Sequence, residues 1–262
     1  MGHNLLEEGR RWCTELLALG EDASDYARAK AIMAIAVFAG ISGDHAEGEL
    51  LHERALVLFR KVGDRFGIAW SLHGLAPSLM ATGRPERARR CLEEALPIHR
   101  ELGDELGVKR TVQLLGTIAS DLGDTDRGRE LLCESIELAR SHGDRFGECV
   151  SHHSRGDLEL TAGRLDAAAS AYRTALDEAR DIDSGRMACY CVAGLSAVAA
   201  AGGEEARAAR LWRYVEQLEA EFGIKMTRRA RYEECLGPIQ REPVPAPGDS
   251  VLAEATEYAL GG

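Results

Sequence analysis

The segment GDRFGIAWSLHGLAPSLMATGRPERARRCLEEALPIHRELGDELG, from Gly63 to Gly107, contains one full repeat and the start of the next. Its opening GDRFG returns as GDELG 40 residues later, and GDRFG occurs again at Gly143 to Gly147. Another glycine recurs with the same period of 40, at Gly43, Gly83, Gly123, Gly163 and Gly203. A fixed period of this length is typical of helical arrays, whose units bury apolar surface against their neighbours. The sequence therefore predicts an all-α protein, a right-handed α-solenoid of antiparallel helix pairs with a C-terminal helical cap.

Each unit is predicted to contain two helices joined by tight turns. In the second unit, helix A should run from Phe66 to Ala81 and helix B from Pro85 to Leu102. The glycine between them favours positive φ, and the Gly-Asp pair at the other junction ends helix B and caps the next helix A. Small residues seven before and five after each glycine allow the two helices to cross closely. The larger residues expected to fill the core are Leu92, Leu132, Tyr172 and Trp212.

The repeat pattern divides the chain into three parts. Residues 1–22 match helix B of a unit without its helix A, 23–222 hold five helix pairs, and 223–262 form capping helices with a Pro-rich linker. Trp12 occupies a core position of the B helices, one period before His52. The first helix is interpreted either as part of a fragment of a longer protein, which we favour, or as a free-standing cap. An unpaired first helix also predicts a homodimer.

Composition limits the classes of function. The formal net charge is −11, which disfavours direct binding of nucleic acid because phosphate contacts require clustered Lys and Arg. Seven cysteines without disulfide or metal-site spacing predict reduced thiols in a cytoplasmic protein. The uncharged stretch 187–201 is too short to span a membrane, so no membrane partner is expected. No catalytic residue, metal ligand or cofactor is predicted, since no nucleophile–base set or ligand spacing is present.

The order of small residue, glycine and second small residue resembles the tetratricopeptide repeat, lengthened from about 34 residues. The stretches GDRFGIAWSLHGLA, ATGRPERARRCLEEALPIHRELGDELG and DLGDTDRGRELLCESIELARSHGDRFG resemble the long repeats of bacterial ATP-dependent transcription regulators of the MalT/LuxR type. The ending AARLWRYVEQLEAEFGIKMTRRARYEECL, with LAEATEYAL, resembles the end of such regions. The resemblance covers residues 5–260. It implies a sensor or partner-binding role; no residue here carries that family's ATPase or DNA-binding motifs.

The resemblance also implies that the A helices line a concave groove. Repeat positions six and three residues before the small anchor residue, and one after it, would face this groove. The candidate lining residues are Lys30, Met33, Trp70, His73, Arg110, Gln113, His153, Asp157 and Tyr190. Aromatic residues and arginine are enriched where binding energy concentrates, which favours a bound peptide or small effector. The alternative is a solvated surface, with Trp70 packed against a neighbouring helix.

A second candidate site lies in the fourth unit. Its inward positions carry His152, Arg155 and Glu159, where the second unit has leucines. Buried polar residues are costly unless they are paired. One interpretation is an Arg155–Glu159 ion pair with four-residue spacing; the other is a polar pocket for an effector. His152 and adjacent His153 diverge on a helix and are a poor pair of metal ligands.

The leading hypothesis for function is a non-enzymatic protein-interaction or effector-sensing domain of a bacterial transcriptional or signalling regulator. Such a domain would bind a peptide or small effector in the groove of the A helices. The alternative is a stand-alone scaffold or adaptor that captures a partner peptide. An enzyme is the third hypothesis, and the scattered His and Cys residues disfavour it because helix packing explains them.

Overall fold

The computed structural model describes residues 8–15, 23–224, 226, 229–237 and 251–261. Within these ranges, α-helices are the sole regular secondary structure. A short helix, α1, covers residues 8–15. Ten helices of 17 or 18 residues follow: α2 (Asp25–Ile41), α3 (His45–Val62), α4 (Arg65–Ala81), α5 (Pro85–Glu101), α6 (Glu105–Asp121), α7 (Thr125–Ser141), α8 (Arg145–Thr161), α9 (Leu165–Asp181), α10 (Gly185–Ala201) and α11 (Glu205–Phe222). Two shorter helices, α12 (Arg229–Leu236) and α13 (Val251–Leu260), complete the described chain.

The even-numbered long helices are A helices and the odd-numbered ones are B helices; α2 packs on α3, α4 on α5, α8 on α9 and α10 on α11. The predicted bounds of the two helices of the second repeat agree with α4 and α5 to within one residue at each end. This arrangement confirms the all-α fold of helix pairs. No helix among the described residues is both long and apolar enough to cross a membrane.

The junctions are built largely as the repeat motifs predict. Gly83 has a φ of +72°, a backbone conformation that residues with a Cβ rarely adopt. At the other junction, Asp104 and Asp144 accept hydrogen bonds from the backbone N–H groups of Gly107 and Gly147, at 3.0 and 2.9 Å. The junction before α10, with the sequence IDSG at Ile182 to Gly185, uses different residues, because Asp183 itself adopts a positive φ of 51° and Ser184 caps α10.

The chain divides into two compact units, Met1–Leu122 and Gly123–Gly262, each of which contains several repeats. We call these two parts of the chain the first unit and the second unit. Residues at the predicted core positions of the B helices are buried in both: Leu92 in the first, and Leu132, Tyr172 and Trp212 in the second. The small residues beside the junction glycines, such as Ala76 and Ala88, are fully buried, which confirms close crossing of the helices.

The prediction that Trp12 lies in the core is wrong. Its side chain is 55% exposed, whereas His52 at the equivalent position is 4% exposed. His52 fits because a Cβ at Gly74 would lie 2.2 Å from the imidazole, so only glycine leaves room for that ring. The predicted half repeat over residues 1–22 otherwise lies partly outside the described residues.

The C-terminal helices have two different positions. Helix α13 packs on α9, α10 and α11, as expected for a cap. Helix α12 packs instead on α10, and its side chains also reach α8, so it lies on the A helices of the second unit. The Pro-rich linker, residues 243–248, lies outside the described residues.

Candidate functional site

The predicted lining residues of the first unit lie on neighbouring A helices. Pairs of side chains link these helices: Ser71 Oγ on α4 is 4.0 Å from the Met33 sulfur on α2, and His73 Nδ1 is 3.2 Å from Thr111 Oγ1 on α6. Two rows of equivalent positions cross them. We call these six residues the unit-1 face: Lys30, Trp70 and Arg110 in one row, and Met33, His73 and Gln113 in the other. Lys30 and Arg110 are exposed, and the other four are partly exposed.

Trp70 is held in place on one side of its ring. The indole Nε1–H donates to Asp104 Oδ2 at 2.8 Å, and the ring packs edge-to-face on His73 and His99, with centroids 5.2 Å away in each case. Asp104 Oδ2 also lies 2.9 Å from His99 Nδ1. The indole therefore packs against neighbouring helices and still presents part of its surface to solvent. A preorganised aromatic side chain loses little conformational entropy on binding.

The histidines beneath this face are uncharged at neutral pH. Burial, with smaller contributions from His99 and Arg110, lowers the pKa of His73 to about 3. Burial lowers the pKa of His52 to about 4 and also lowers that of His99, although Asp104 opposes the shift. Lys30 and Arg110 consequently supply the positive charge of the unit-1 face.

The predicted lining residues of the second unit are brought together but covered. Tyr232 of α12 donates its hydroxyl to Asp157 Oδ1 at 2.9 Å and lies 3.1 Å from His153 Nε2. Tyr172 donates to the same carboxylate oxygen at 2.6 Å. The His153 ring packs edge-to-face between Tyr172 and Tyr190, with centroid distances of 5.6 and 5.8 Å. His153, Asp157 and Tyr190 thus form one cluster, closed by a helix of the same chain.

Arg231 completes the contact between α12 and α8. Its Nη2 donates to the Asp157 carbonyl at 3.0 Å and to Thr161 Oγ1 at 2.8 Å, and its Nη1 lies 3.7 Å from Asp157 Oδ2. Burial raises the pKa of Asp157, but His153, Arg231 and the two tyrosine hydroxyls lower it by more, so the pKa lies below its usual value. The carboxylate is therefore ionised and holds α12 in place. The sequence predicts a cap over residues 223–262 but does not predict this contact.

The residues of the predicted polar pocket separate into two groups. Glu159 accepts from Arg129 Nε at 3.0 Å and pairs closely with Arg164, so the predicted Arg155–Glu159 ion pair is wrong. Arg129 and Arg164 reach the carboxylate from α7 and from the turn before α9, which spacing along α8 could not reveal. Burial raises the pKa of Glu159, but the two arginines lower it below its usual value. His152 instead faces Glu178 of α9, with Nε2 3.6 Å from Oε1.

A further polar group, not predicted from the sequence, is formed by Glu148, His152 and Glu178. Their ligand atoms all lie within 4.8 Å of one another. Arg140 donates to Glu148 Oε1 from Nε at 2.9 Å and from Nη2 at 2.6 Å. Burial lowers the pKa of His152 to about 4, and burial together with Glu148 raises the pKa of Glu178 to about 7. The sequence does contain an indication of this group, because the residues equivalent to Glu178 in other repeats are all apolar: Leu58, Ile98, Leu138 and Leu218.

Comparisons with known proteins agree with this fold. The family model for the tetratricopeptide repeat matches residues 27–101. No curated protein matches the chain in sequence.

Several solved structures are similar to the chain. A Rap protein complexed with Competence and Sporulation Factor has a TM-score of 0.70 at 13% identity, covering 80% of this chain, which spans 59% of that one. BtubC (BKLC) from P. vanneervenii has a TM-score of 0.60 at 19% identity, with 94% and 97% covered. A signal transduction ATPase (STAND) protein with a tetratricopeptide repeat sensor, from Pyrococcus horikoshii, has a TM-score of 0.59 at 13% identity, covering 85% of this chain and 37% of that chain. At these identities the likeness concerns the fold, which is that of tetratricopeptide-like helical repeats.

Proposed function

We propose that this protein is a non-enzymatic interaction domain whose unit-1 face binds an acidic peptide segment of a partner. The row of Lys30, Trp70 and Arg110 carries the proposal. It offers a partly exposed, fixed aromatic ring between two exposed cations at equivalent positions of adjacent A helices. Aromatic and arginine side chains supply much of the binding energy at protein interfaces. Carboxylates on the peptide would pair with the two cations while an apolar side chain covers the indole.

The second unit supports the idea that the A helices accept a chain segment. The positions equivalent to Gln113 and Thr117 are His153 and Asp157, and α12 lies on both. In the first unit these positions are partly exposed. A helical segment with one anchoring aromatic residue and one cation is thus a ligand that this type of surface holds. The charge differs between the two surfaces: α12 pairs with a carboxylate in the second unit, whereas the charges of the unit-1 face are positive and favour an acidic partner.

We further propose that the domain is the sensor region of a bacterial transcriptional or signalling regulator in the cytoplasm. The quoted repeats resemble such regulators, and the similar ATPase from Pyrococcus horikoshii contains a tetratricopeptide repeat sensor. Seven free cysteines are consistent with a reducing compartment. A small effector in place of the peptide and a stand-alone scaffold are the alternatives. Native mass spectrometry separates the first alternative, because a bound effector adds mass that is lost on denaturation. The division into residues 1–22, 23–222 and 223–262 remains part of this proposal.

Selection from a random peptide library tests the proposal. Peptides are selected on the wild-type protein and on a Lys30→Glu/Arg110→Glu variant. The matched control reverses two exposed cations on B helices of the same unit, Arg54→Glu/Arg90→Glu. We expect acidic peptides with an apolar residue to be enriched on the wild type and the control, but not on the first variant. Enrichment that is equal on all three proteins, or absent from all, would contradict the proposal.

We also propose that α1 mediates self-association. The observation is the 55% exposure of Trp12, a large apolar side chain on a short helix. Light scattering over a range of concentrations should detect a dimer that Trp12→Arg weakens. A monomer at every concentration, in both proteins, would overturn this part of the proposal.

A further inference from the structure

Three polar residues of the second unit occupy repeat positions that are mostly apolar elsewhere. His152 replaces Ile32, Leu72, Val112 and Val192, and Glu178 replaces Leu58, Ile98, Leu138 and Leu218. Glu148 replaces Ile68, Val108 and Ala188, while α2 has Arg28 there. These departures come from two helices, α8 and α9, and their side chains converge at one place. A chance loss of apolar residues would not bring two carboxylates and an imidazole together.

The group has unmet polar atoms. His152 is 5% exposed, and neither of its ring nitrogens has a hydrogen-bond partner. Its Nε2 lies 3.6 Å from Glu178 Oε1, and Glu178 Oε2 is buried without a hydrogen-bond partner. Leaving such atoms unpaired costs free energy. A cation that accepts lone pairs from one ring nitrogen and from the carboxylates would satisfy these ligand atoms together, while the other ring nitrogen of His152 carries the proton.

We propose that Glu148, His152 and Glu178 bind a divalent transition-metal ion, with Zn²⁺ as the best-suited candidate. Imidazole nitrogen and carboxylate oxygen are both normal zinc ligands, and three protein ligands leave a fourth position open. Tetrahedral coordination at about 2.1 Å places ligand atoms about 3.4 Å apart. The three ligand atoms already lie within 4.8 Å of one another, so rotation of the glutamate side chains brings them to that spacing.

Nearby arginines shape this site without filling it. Arg140 holds Oε1 of Glu148, which leaves Oε2 of the same carboxylate for the metal. It thereby orients one ligand in the way that outer-shell partners usually do. Arg155 also influences both His152 and Glu178 electrostatically. These positive charges weaken cation binding relative to a purely acidic site, so the affinity should be moderate.

The repeat itself supplies the variants for a test. Apolar residues occupy the equivalent positions in other repeats. His152→Leu and Glu178→Leu therefore remove a ligand and introduce a side chain of the type that this core position usually holds. Exposed thiols are removed from the background as Cys133→Ser and Cys235→Ser, because they bind zinc adventitiously. His142→Gln, which removes an exposed histidine of the same unit, is the control. Zn²⁺ affinity is measured by competition with a chromophoric chelator, and Co²⁺ absorption reports the coordination geometry.

We expect one Zn²⁺ per chain in the background and in the His142→Gln control. Loss of a ligand should weaken binding by at least about 100-fold, since outer-shell changes alone cost up to that much. Circular dichroism confirms that each variant is folded. The Co²⁺ complex should show the intense visible absorption of a four-coordinate site. The proposal is overturned if the folded background protein binds no Zn²⁺, or if both leucine variants bind it as tightly as the background does.

Discussion

At the scale of single residues, Asp157 is the buried charge on which the second unit depends. Its carboxylate accepts hydrogen bonds from Tyr172 and Tyr232, and Arg231 lies beside it. Hydrogen bonds to charged groups contribute about 1.5–3 kcal/mol each. The sequence placed Asp157 on the A-helix face, but nothing in the repeat pattern indicated a partner 75 residues later. Long-range pairing of this kind depends on tertiary packing and not on local spacing.

Removal of one hydroxyl tests this pairing. We expect Tyr232→Phe to lower the free energy of unfolding by about 2 kcal/mol, because a hydrogen bond to an ionised carboxylate is lost. Tyr258→Phe is the matched control, since this tyrosine lies on α13 and makes ring contacts with Tyr214 and Arg210. Chemical denaturation provides the measurement. Equal losses of stability in the two variants would contradict the assigned role of the Tyr232 hydroxyl.

Two glycines of the first unit should respond to alanine in opposite directions. Gly83 has positive φ at a helix junction, so Gly83→Ala should destabilise the protein by about 1–2 kcal/mol. Gly40 lies inside α2 with no atom within 4 Å of an added Cβ, so Gly40→Ala should stabilise it by about 0.5–1 kcal/mol. Thermal or chemical unfolding distinguishes the two. A stabilising Gly83→Ala would show that the junction tolerates a Cβ and that the recurrent glycine has another cause.

Buried histidines of the first unit predict a loss of stability in acid. The folded-state pKa values of His52 and His73, about 4 and about 3, lie below their ordinary value of 6.5. Well above pH 6.5 neither state is protonated, and these residues contribute no pH dependence. As the pH falls below 6.5, the unfolded chain binds protons first and is favoured, until the folded-state pKa values are reached. The two histidines together should cost about 4 kcal/mol between neutral pH and pH 5.

The measurement is the free energy of unfolding as a function of pH. The loss in acid should be clearly smaller in a His52→Gln/His73→Gln variant and unchanged in His142→Gln, which alters an exposed histidine. If the double variant loses as much stability in acid as the wild type, the two buried histidines do not cause the effect.

At the scale of helices, the repeat determined most of what could be predicted. Helices α4 and α5 have the expected bounds because their capping residues, glycines and apolar positions recur with one period. The placement of α12 was not predicted, since eight residues provide little periodicity and its docking depends on Tyr232 and Arg231. The position of Trp12 was predicted wrongly, because a repeat position does not determine which side chains surround it: His52 packs on Gly74, whereas Trp12 is exposed.

Docking of α12 can be tested by removing its anchor. Tyr232 is 2% exposed, and truncation of a buried aromatic residue costs about 3–5 kcal/mol. We expect Tyr232→Ala to release α12. Amide hydrogen exchange should then increase in residues 229–236 and in the part of α8 that α12 covers in the wild type, but not in α2 to α5. Cys235→Ala, at an exposed position of the same helix, is the control. Unchanged exchange in α12 of the Tyr232→Ala variant would show that other contacts hold this helix.

At the scale of the whole molecule, the two units use the same repeat positions in different ways. In Met1–Leu122 the unit-1 face is accessible, and in Gly123–Gly262 the equivalent positions hold α12. The sequence predicted which positions would belong to such a surface but not which of them would be covered. Burial of the second set depends on a segment outside the repeat. This difference directs the functional proposal to the unit-1 face.

The most direct test of this proposal is a charge-exchange cycle with a selected acidic peptide. Binding is followed by Trp70 fluorescence for wild type and Arg110→Glu, each with the peptide and with a version in which its essential acidic residue is lysine. We predict that either single change weakens binding by at least about tenfold, equivalent to about 1.4 kcal/mol, and that the two changes together restore much of it. Additive losses without any restoration, or binding that leaves Trp70 fluorescence unchanged, would contradict the claim that the unit-1 face recognises an acidic partner.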